Sequence, residues 1–312
     1  MEKVVFGVDL GGTTVKMGMF DTEGNVLEKW EIITRKEDSG RHILPDIAQS
    51  ILAKIKEKDI MKDAVVGVGI GVPGPVDSNG VVYKAANLGW GVFSLKKEME
   101  ELLDGIRVEG GNDANVAALG EMWRGGGKGH KNMVAVTLGT GVGGGIIVDG
   151  KILTGATGAG GEIGHIHVED NEEDVCGCGN CGCLEQYSSA TGIVRLAKRR
   201  LEKDDQPSQL RNVELSAKQI FDAVKSKDAV AMEIADQFGE YLGKGLAAVA
   251  CVVNPEIFVI GGGVSKAGPV ILDYFAAHYK KHVFHGSREA KLALATLGND
   301  AGIYGAAKLV LE

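Results

Sequence analysis

The 312-residue sequence has no G-x-x-x-x-G-K-[ST] run, no long lysine- and arginine-rich stretch, and no apolar stretch approaching the roughly 20 residues of a membrane span. The first absence excludes a P-loop nucleotide site, the second a nucleic-acid footprint, the third a transmembrane helix. The opening MEKVVFGVDLGG lacks a basic region followed by a long apolar run, so no secretory signal is expected and the chain is read as cytoplasmic. The formal net charge of −8 speaks only to solubility. Cysteine is scarce, five in all, yet Cys176, Cys178, Cys181 and Cys183 fall within eight residues. Without an export signal, that clustering favours a metal over disulfides. The fifth, Cys251, lies in the apolar run LAAVACVVN and is read as core packing.

Glycine is abundant: 47 residues, about twice the usual share of roughly 7%. The glycines sit beside apolar runs without a fixed period, which suits backbone that approaches a ligand closely. A chain of 312 residues exceeds the size at which one core stops growing, so two domains are expected.

The pattern predicts a strand over 4–8, a turn at Asp9-Leu10-Gly11-Gly12-Thr13-Thr14, and a returning strand from Val15 to Phe20. A third strand is expected near 26–34, a helix near 43–58 and a buried strand over 65–72 ending in Pro73-Gly74-Pro75. Ser94 is placed as the N-cap of a helix over 95–103, followed by a strand over 106–109 and a helix over 115–123. After the glycine-rich stretch 125–130, read as a linker or hinge, the chain restarts. VTLGTGVGGGIIVDG repeats the order of VDLGGTTVKMGMFDTEG: strand, glycine turn, strand, acidic turn, with Asp9 matched to Thr137 and Gly11 to Gly139. Two related halves, each opening with a β-hairpin, are implied. A third glycine turn, Gly261-Gly262-Gly263, follows a strand over 257–260.

Turns that grip polyphosphate need small residues and free backbone N–H groups, and both hairpin turns qualify. Asp9 supplies a carboxylate where phosphate-bound Mg²⁺ would want one. One such turn alone is as easily a plain hairpin; two opening repeated halves, with a third glycine turn, are not. Gly139-Thr140-Gly141-Val142-Gly143-Gly144 matches G-x-G-x-x-G, but β-rich Ile146-Ile147-Val148 follows where a dinucleotide fold needs a helix, so the match is accidental. Asp113, in Asn112-Asp113-Ala114-Asn115, follows a strand and opens a helix, where an Asp most often serves as N-cap. Cys176-Gly177-Cys178-Gly179-Asn180-Cys181-Gly182-Cys183 suits tetrahedral zinc, bound by four cysteines or by three and a histidine.

Together these motifs make the chain resemble, over nearly its whole length, the ROK-family sugar kinases of the sugar kinase, actin and heat-shock chaperone superfamily. The resemblance implies an α/β fold of two ribonuclease-H-like domains with mixed sheets and a cleft between them. We expect a smaller domain over 1–120, joined by a C-terminal helix near 300–312, and a larger one over 121–299. The resemblance assigns Asp9, Gly11, Gly12, Thr13, Thr14 and Lys16, with Gly139, Thr140 and Gly141, to ATP phosphates and Mg²⁺. It sets Gly261, Gly262 and Gly263 near the adenosine. It makes Asp113 the general base and places Asn112, Asn87, Glu162, His165, Glu185 and the backbone of Gly74 around the sugar. It makes His165, Cys176, Cys178 and Cys183 the ligands of a structural Zn²⁺, with Cys181 a bystander and His167 a weaker alternative ligand.

The implied reaction is ATP-dependent phosphorylation of a hexose, glucose foremost, by a homodimer or higher homo-oligomer. Fructose, N-acetylmannosamine, mannose and allose are the rival acceptors. A sugar-sensing repressor of the same family would need a preceding helix-turn-helix, for which a first strand starting near residue 4 leaves no room.

Overall fold

The computed structural model describes residues 3–83 and 85–312. In chain order the first half comprises β1 (Val4–Leu10), β2 (Thr14–Asp21), β3 (Val26–Ile33), α1 (Ile43–Glu57), β4 (Val65–Val72), β5 (Val81–Val82), β6 (Phe93–Ser94), α2 (Leu95–Leu102), β7 (Val108–Asn112) and α3 (Asp113–Arg124). The second comprises β8 (Met133–Leu138), β9 (Val142–Val148), β10 (Lys151–Ile152), α4 (Glu185–Ser188), α5 (Ala190–Leu201), α6 (Ala217–Lys225), α7 (Ala229–Val253), β11 (Ile257–Gly261), α8 (Val270–His282), β12 (Lys291–Leu294) and α9 (Ala301–Val310).

The repeat read in the sequence is realised as two sheets of one topology, β3-β2-β1-β4-β7 and β10-β9-β8-β11-β12. In each, an antiparallel hairpin feeds a pair of parallel strands, giving two mixed α/β layers. Asp9 stands opposite Gly71 of its parallel neighbour, and Thr137 stands opposite Gly261 of its own. The aligned positions therefore occupy equivalent places at the ends of central strands. Central β1 and β4 are almost wholly buried and, Asp9 apart, apolar because both faces are covered, whereas edge strand β3 alternates between exposed and half-buried residues.

α9 returns from the second half to lie on β1 and β4, and it packs along α3. This layer is drawn in to backbone contact. A Cβ at Gly69 would fall 1.7 Å from the Ala306 carbonyl oxygen, and one at Gly305 would fall 1.6 Å from that of Val116. α3 also touches β8 and β9, so it joins the two sheets.

Local signals set several boundaries. The Ser94 hydroxyl accepts from the Lys97 N–H, capping α2 as expected. Other positions differ from the sequence reading. β7 runs to Asn112 and α3 begins at Asp113, two residues earlier than predicted. Asn112 is its N-cap, its side-chain oxygen accepting from Ala114 and Asn115, so the capping role weighed for Asp113 belongs to its neighbour. Cys251 is exposed, not buried. Leu246, Ala247 and Ala250 carry the buried face of α7, and the helical period turns Cys251 and Val252 outward.

Candidate active site

The first hairpin turn is held from behind. The Thr34 hydroxyl donates to the Gly11 carbonyl at 2.7 Å, and the Thr34 N–H donates to the Thr13 carbonyl at 2.9 Å. With those carbonyls tied back, the Gly12 and Thr13 N–H groups have no acceptor among the described residues, and a Cβ at Gly12 would meet only open space. That is the backbone arrangement an anion needs. Asp9 precedes the turn, half-buried, with its carboxyl against α9: a Cβ at Gly302 would lie 2.5 Å from its Cγ. Burial pushes the Asp9 carboxyl above the usual carboxylate range, Lys16 opposing and Asp113 adding to the shift. Such a group gains most from a nearby cation. The Lys16 ammonium donates to the Asn299 carbonyl at 3.2 Å.

The second hairpin turn is held by more. The Gly139 carbonyl accepts from Ala190 N–H at 2.8 Å, the Thr140 carbonyl from the Thr191 hydroxyl at 2.8 Å, and the Gly141 carbonyl from Gly139 N–H at 3.0 Å. Glu185 reaches the same turn, Oε2 accepting from Val142 N–H at 3.3 Å. The third glycine turn follows β11, with Gly262 at φ +87° and so close to β8 that a Cβ would lie 2.5 Å from the Leu138 carbonyl oxygen. A short 3₁₀ turn, Val264–Ala267, intervenes before α8. Gly261, Gly262, Gly263, Thr137, Lys266 and Ala117 are among the residues lining a cavity of about 480 Å³ beside this turn.

Asp113 opens α3 opposite these turns. Its Oδ1 accepts from Ala114 N–H at 2.8 Å. Burial, with the Glu162 carboxylate nearby, pushes its carboxyl above the usual range, the direction a general base requires. Asn112 caps α3 with its oxygen and donates from Nδ2 to the Gly74 carbonyl at 3.2 Å. Gly74 has φ +131°, a left-handed conformation open to glycine, between Pro73 and Pro75. Glu162 is exposed and leads into the 3₁₀ turn Ile163–His165. Asn87 lies exposed in the 3₁₀ turn Ala86–Leu88, without a side-chain hydrogen bond among the described residues.

The cysteine loop meets this set at Glu185. Ligand atoms of His165, Cys176, Cys178 and Cys183 all lie within 4.8 Å of one another. The Cys178–Cys183 sulfur separation is 3.6 Å, and Cys176 Sγ lies 3.7 Å from His165 Nδ1. Zinc with ordinary bond lengths places tetrahedral S···S neighbours about 3.8 Å apart and S···N neighbours about 3.5 Å apart, so these residues fit the ion. Cys181 stands apart, its thiol turned to the Glu173 carbonyl. Both His167 ring nitrogens are engaged, Nδ1 by the Cys181 carbonyl at 3.0 Å and Nε2 by Asp170 at 2.8 Å. Glu185 Oε1 lies 3.1 Å from Cys176 Sγ and 3.8 Å from His165 Nδ1, while its other oxygen holds the second hairpin turn. One carboxylate thus joins the cysteine loop to the glycine turn.

Three contributors were not read from the sequence. Thr34 looks like an ordinary strand-end residue. Glu172, in the acidic run before the cysteine loop, is buried and bound by Arg195 at 2.7 Å, Arg199 at 2.9 Å and the Tyr187 hydroxyl. Burial opposes its ionisation, but Arg199 and Tyr187 hold its carboxyl well below the usual range, and the network fastens the segment leading to Cys176. Asn115 is 2% exposed beside Gly161, its side-chain oxygen without a partner among the described residues. The N-D-A-N motif offered a signal for this last residue alone.

Residues 5–312 match the model of the ROK family. A glucokinase of Halalkalibacterium halodurans is 44% identical over 313 residues, covering 98% of this chain and 94% of that protein. Among solved structures, a ROK hexokinase from Thermus thermophilus superposes with a TM-score of 0.81 at 30% identity, covering 98% of this chain and 97% of the other. A ROK family glucokinase from Streptomyces griseus, in complex with glucose and AMPPNP, gives a TM-score of 0.72 at 34% identity, covering 98% of each chain. The two mixed sheets of one topology superpose on the fold of ROK sugar kinases, and the chain belongs to the ROK family.

Proposed function

We propose that this protein transfers the γ-phosphoryl group of ATP to the 6-hydroxyl of D-glucose, with Asp113 as general base. The observation that carries the mechanism is the nearness of Asp113, at the start of α3, to Asp9, near the end of β1: both carboxylates are half-buried, and the charge of Asp113 helps to raise the Asp9 pKa. Asp113 takes the proton of the 6-hydroxyl as that oxygen forms its bond to the γ-phosphorus. The bond from the γ-phosphorus to the bridging oxygen breaks, and ADP leaves with its electron pair. The free N–H groups of the first turn and the backbone of the second hold the phosphates in line. Asp9 is suited to the phosphate-bound Mg²⁺, which supplies charge neutralisation when present.

Asn112, Asn87, Glu162, Glu185 and the free ring nitrogen of His165 are assigned to sugar hydroxyls. His165, Cys176, Cys178 and Cys183 would hold a structural zinc that fixes the His165 ring and leaves bond cleavage to other groups. The halves 1–120 with 300–312, and 121–299, are assigned as lobes that close over the substrates. The packing of α9 on β1 and β4 supports that division.

The choice of glucose rests on the relatives: the Halalkalibacterium protein is named a glucokinase and the Streptomyces griseus structure holds glucose with AMPPNP. A coupled ADP-release assay over glucose, fructose, mannose, allose and N-acetylmannosamine tests it. Glucose should give the highest kcat/KM; a higher value for another hexose reassigns the acceptor, and no sugar-dependent ADP release removes the kinase reading.

A further inference from the structure

The polypeptide passes between the two sheets at two places: through 125–132, after α3, and through 295–300, before α9. A single side chain grips both passages. Glu121, near the end of α3, is 4% exposed. Its Oε2 accepts from Gly126 N–H at 2.8 Å in the first passage and from Thr296 N–H at 3.1 Å in the second. Its Oε1 accepts from Leu297 N–H at 2.9 Å, also in the second. Among the described residues its hydrogen-bond partners are all backbone donors. A buried carboxylate without a cation is costly unless its oxygens are satisfied, and charge-assisted bonds from three N–H groups satisfy this one.

The surrounding backbone is shaped around that carboxylate. A Cβ at Gly125 would lie 1.9 Å from Glu121 Oε2, and one at Gly126 would lie 2.4 Å from the Leu294 carbonyl oxygen. The glycine run that reads as a linker or hinge is thus moulded onto α3. At the adjoining position a Cβ on Gly120 would fall 2.2 Å from the Ala301 carbonyl oxygen, so α3 and α9 are also in backbone contact there. Glu121 also borders the cavity beside Gly261–Gly263, but no step of the proposed chemistry uses it.

We propose that Glu121 is the hinge pin of cleft closure, a positioning residue that makes both passages bend about one point. The proposal rests on the sugar-kinase reading, in which both substrates are held across the cleft. A rotation of one sheet against the other must be absorbed by backbone torsions in 125–132 and 295–300. Anchored to one carboxylate, the two passages turn together, and the Asp113 side of the cleft meets the glycine turns in one register. With the anchor gone, each passage samples its own torsions and the closed state costs more to reach, which weakens the apparent affinity for both substrates.

The test is Glu121→Gln in the full-length protein. The substitution keeps the size but turns an NH₂ group toward backbone donors, releasing at least one passage. KM for glucose and KM for ATP should rise together, each by about three- to tenfold, with kcat changing less. A rise in the ATP KM alone would make Glu121 a local nucleotide contact, and unchanged KM values with a lowered Tm would make it a purely structural group; either overturns the proposal. Hydrogen exchange on the wild-type protein supplies a readout that needs neither the variant nor catalysis. Gly126, Thr296 and Leu297 amides should exchange slowly with and without glucose. Fast exchange of either passage overturns the proposal even where Glu121→Gln fails to fold. Loss of sugar-dependent ADP release in the wild type would instead sink the kinase reading.

Discussion

The two hairpin turns come from one repeated unit, yet they are built for different work. The first follows an acidic residue, Asp9, and its carbonyls are held by one buried threonine, Thr34. The second follows Thr137 at the aligned position and is held by Ala190, Thr191 and Glu185. The first half therefore presents charge to the cleft: Asp9 and, after β7, Asp113. The second presents backbone, and it borrows its carboxylate from the cysteine loop. A duplicated frame fixes where the turns stand. The residues next to each turn decide whether it is flanked by carboxylates or tied to the cysteine loop.

The largest effect is expected on the charged side. Asp113→Asn should lower kcat by at least about 10²-fold, the usual size for losing a general base, while glucose binding by calorimetry changes little. The pH behaviour follows from burial, which raises the Asp113 pKa above its ordinary 3.8. The base works only when ionised, so wild-type kcat should fall on the acid side with a midpoint above 3.8. The stability sign is opposite to that of a salt-bridged carboxylate. A folded pKa above the unfolded one disfavours the ionised form in the fold, and this penalty is present at neutral pH and disappears as pH falls below the unfolded value. Asp113→Asn should therefore keep or raise Tm at pH 7, with the difference from wild type narrowing toward pH 4 in thermal scans. Near-normal turnover in a folded variant would reduce Asp113 to the first residue of α3.

An intermediate effect is expected where the second turn meets the cysteine loop. Elemental analysis should find one zinc per chain. Cys176→Ser, Cys178→Ser and Cys183→Ser should each lose it, because a thiolate leaves a closed tetrahedral site, whereas Cys181→Ser should keep it. His165→Ala should lose both zinc and glucose affinity. A zinc-replete His165→Ala protein together with a zinc-free Cys181→Ser protein would replace this ligand set by four cysteines and separate the metal from the sugar.

The smallest effect compares the two anchors directly. Thr34→Val and Thr191→Val each remove one hydroxyl that holds a turn carbonyl, a bond worth about 1 kcal/mol net, or about fivefold in affinity. Thr34→Val should raise the ATP KM toward that full factor, since the Gly11 carbonyl has no second side chain to hold it among the described residues. Thr191→Val should raise it less, because Ala190 and Glu185 continue to brace the second turn. Equal effects would mean that both turns are held alike.

The sequence by itself determined the parts whose partners are close along the chain. The hairpin turns are legible because glycine and threonine between apolar runs leave the backbone few alternatives. The cysteine loop is legible because its thiols are close along the chain, and the structure brings ligand atoms of His165, Cys176, Cys178 and Cys183 within 4.8 Å; the cap of α2 is legible because Ser94 acts within one turn of helix. The duplication was visible as a matched order of strands and turns, and it appears as two sheets of one topology.

Only the tertiary structure decided which polar groups are buried and what they hold. Asn112, not Asp113, caps α3, because the end of β7 delivers its side chain to the helix and to Gly74. Cys251 faces outward because α7 is buried along its other side. Glu172 and Glu121 lie inside, their charge balanced by two arginines in one case and by N–H groups up to 176 residues away in the other. The free energy of a buried carboxylate is set by the donors brought around it, and when those donors come from distant segments, no local pattern in the chain encodes them.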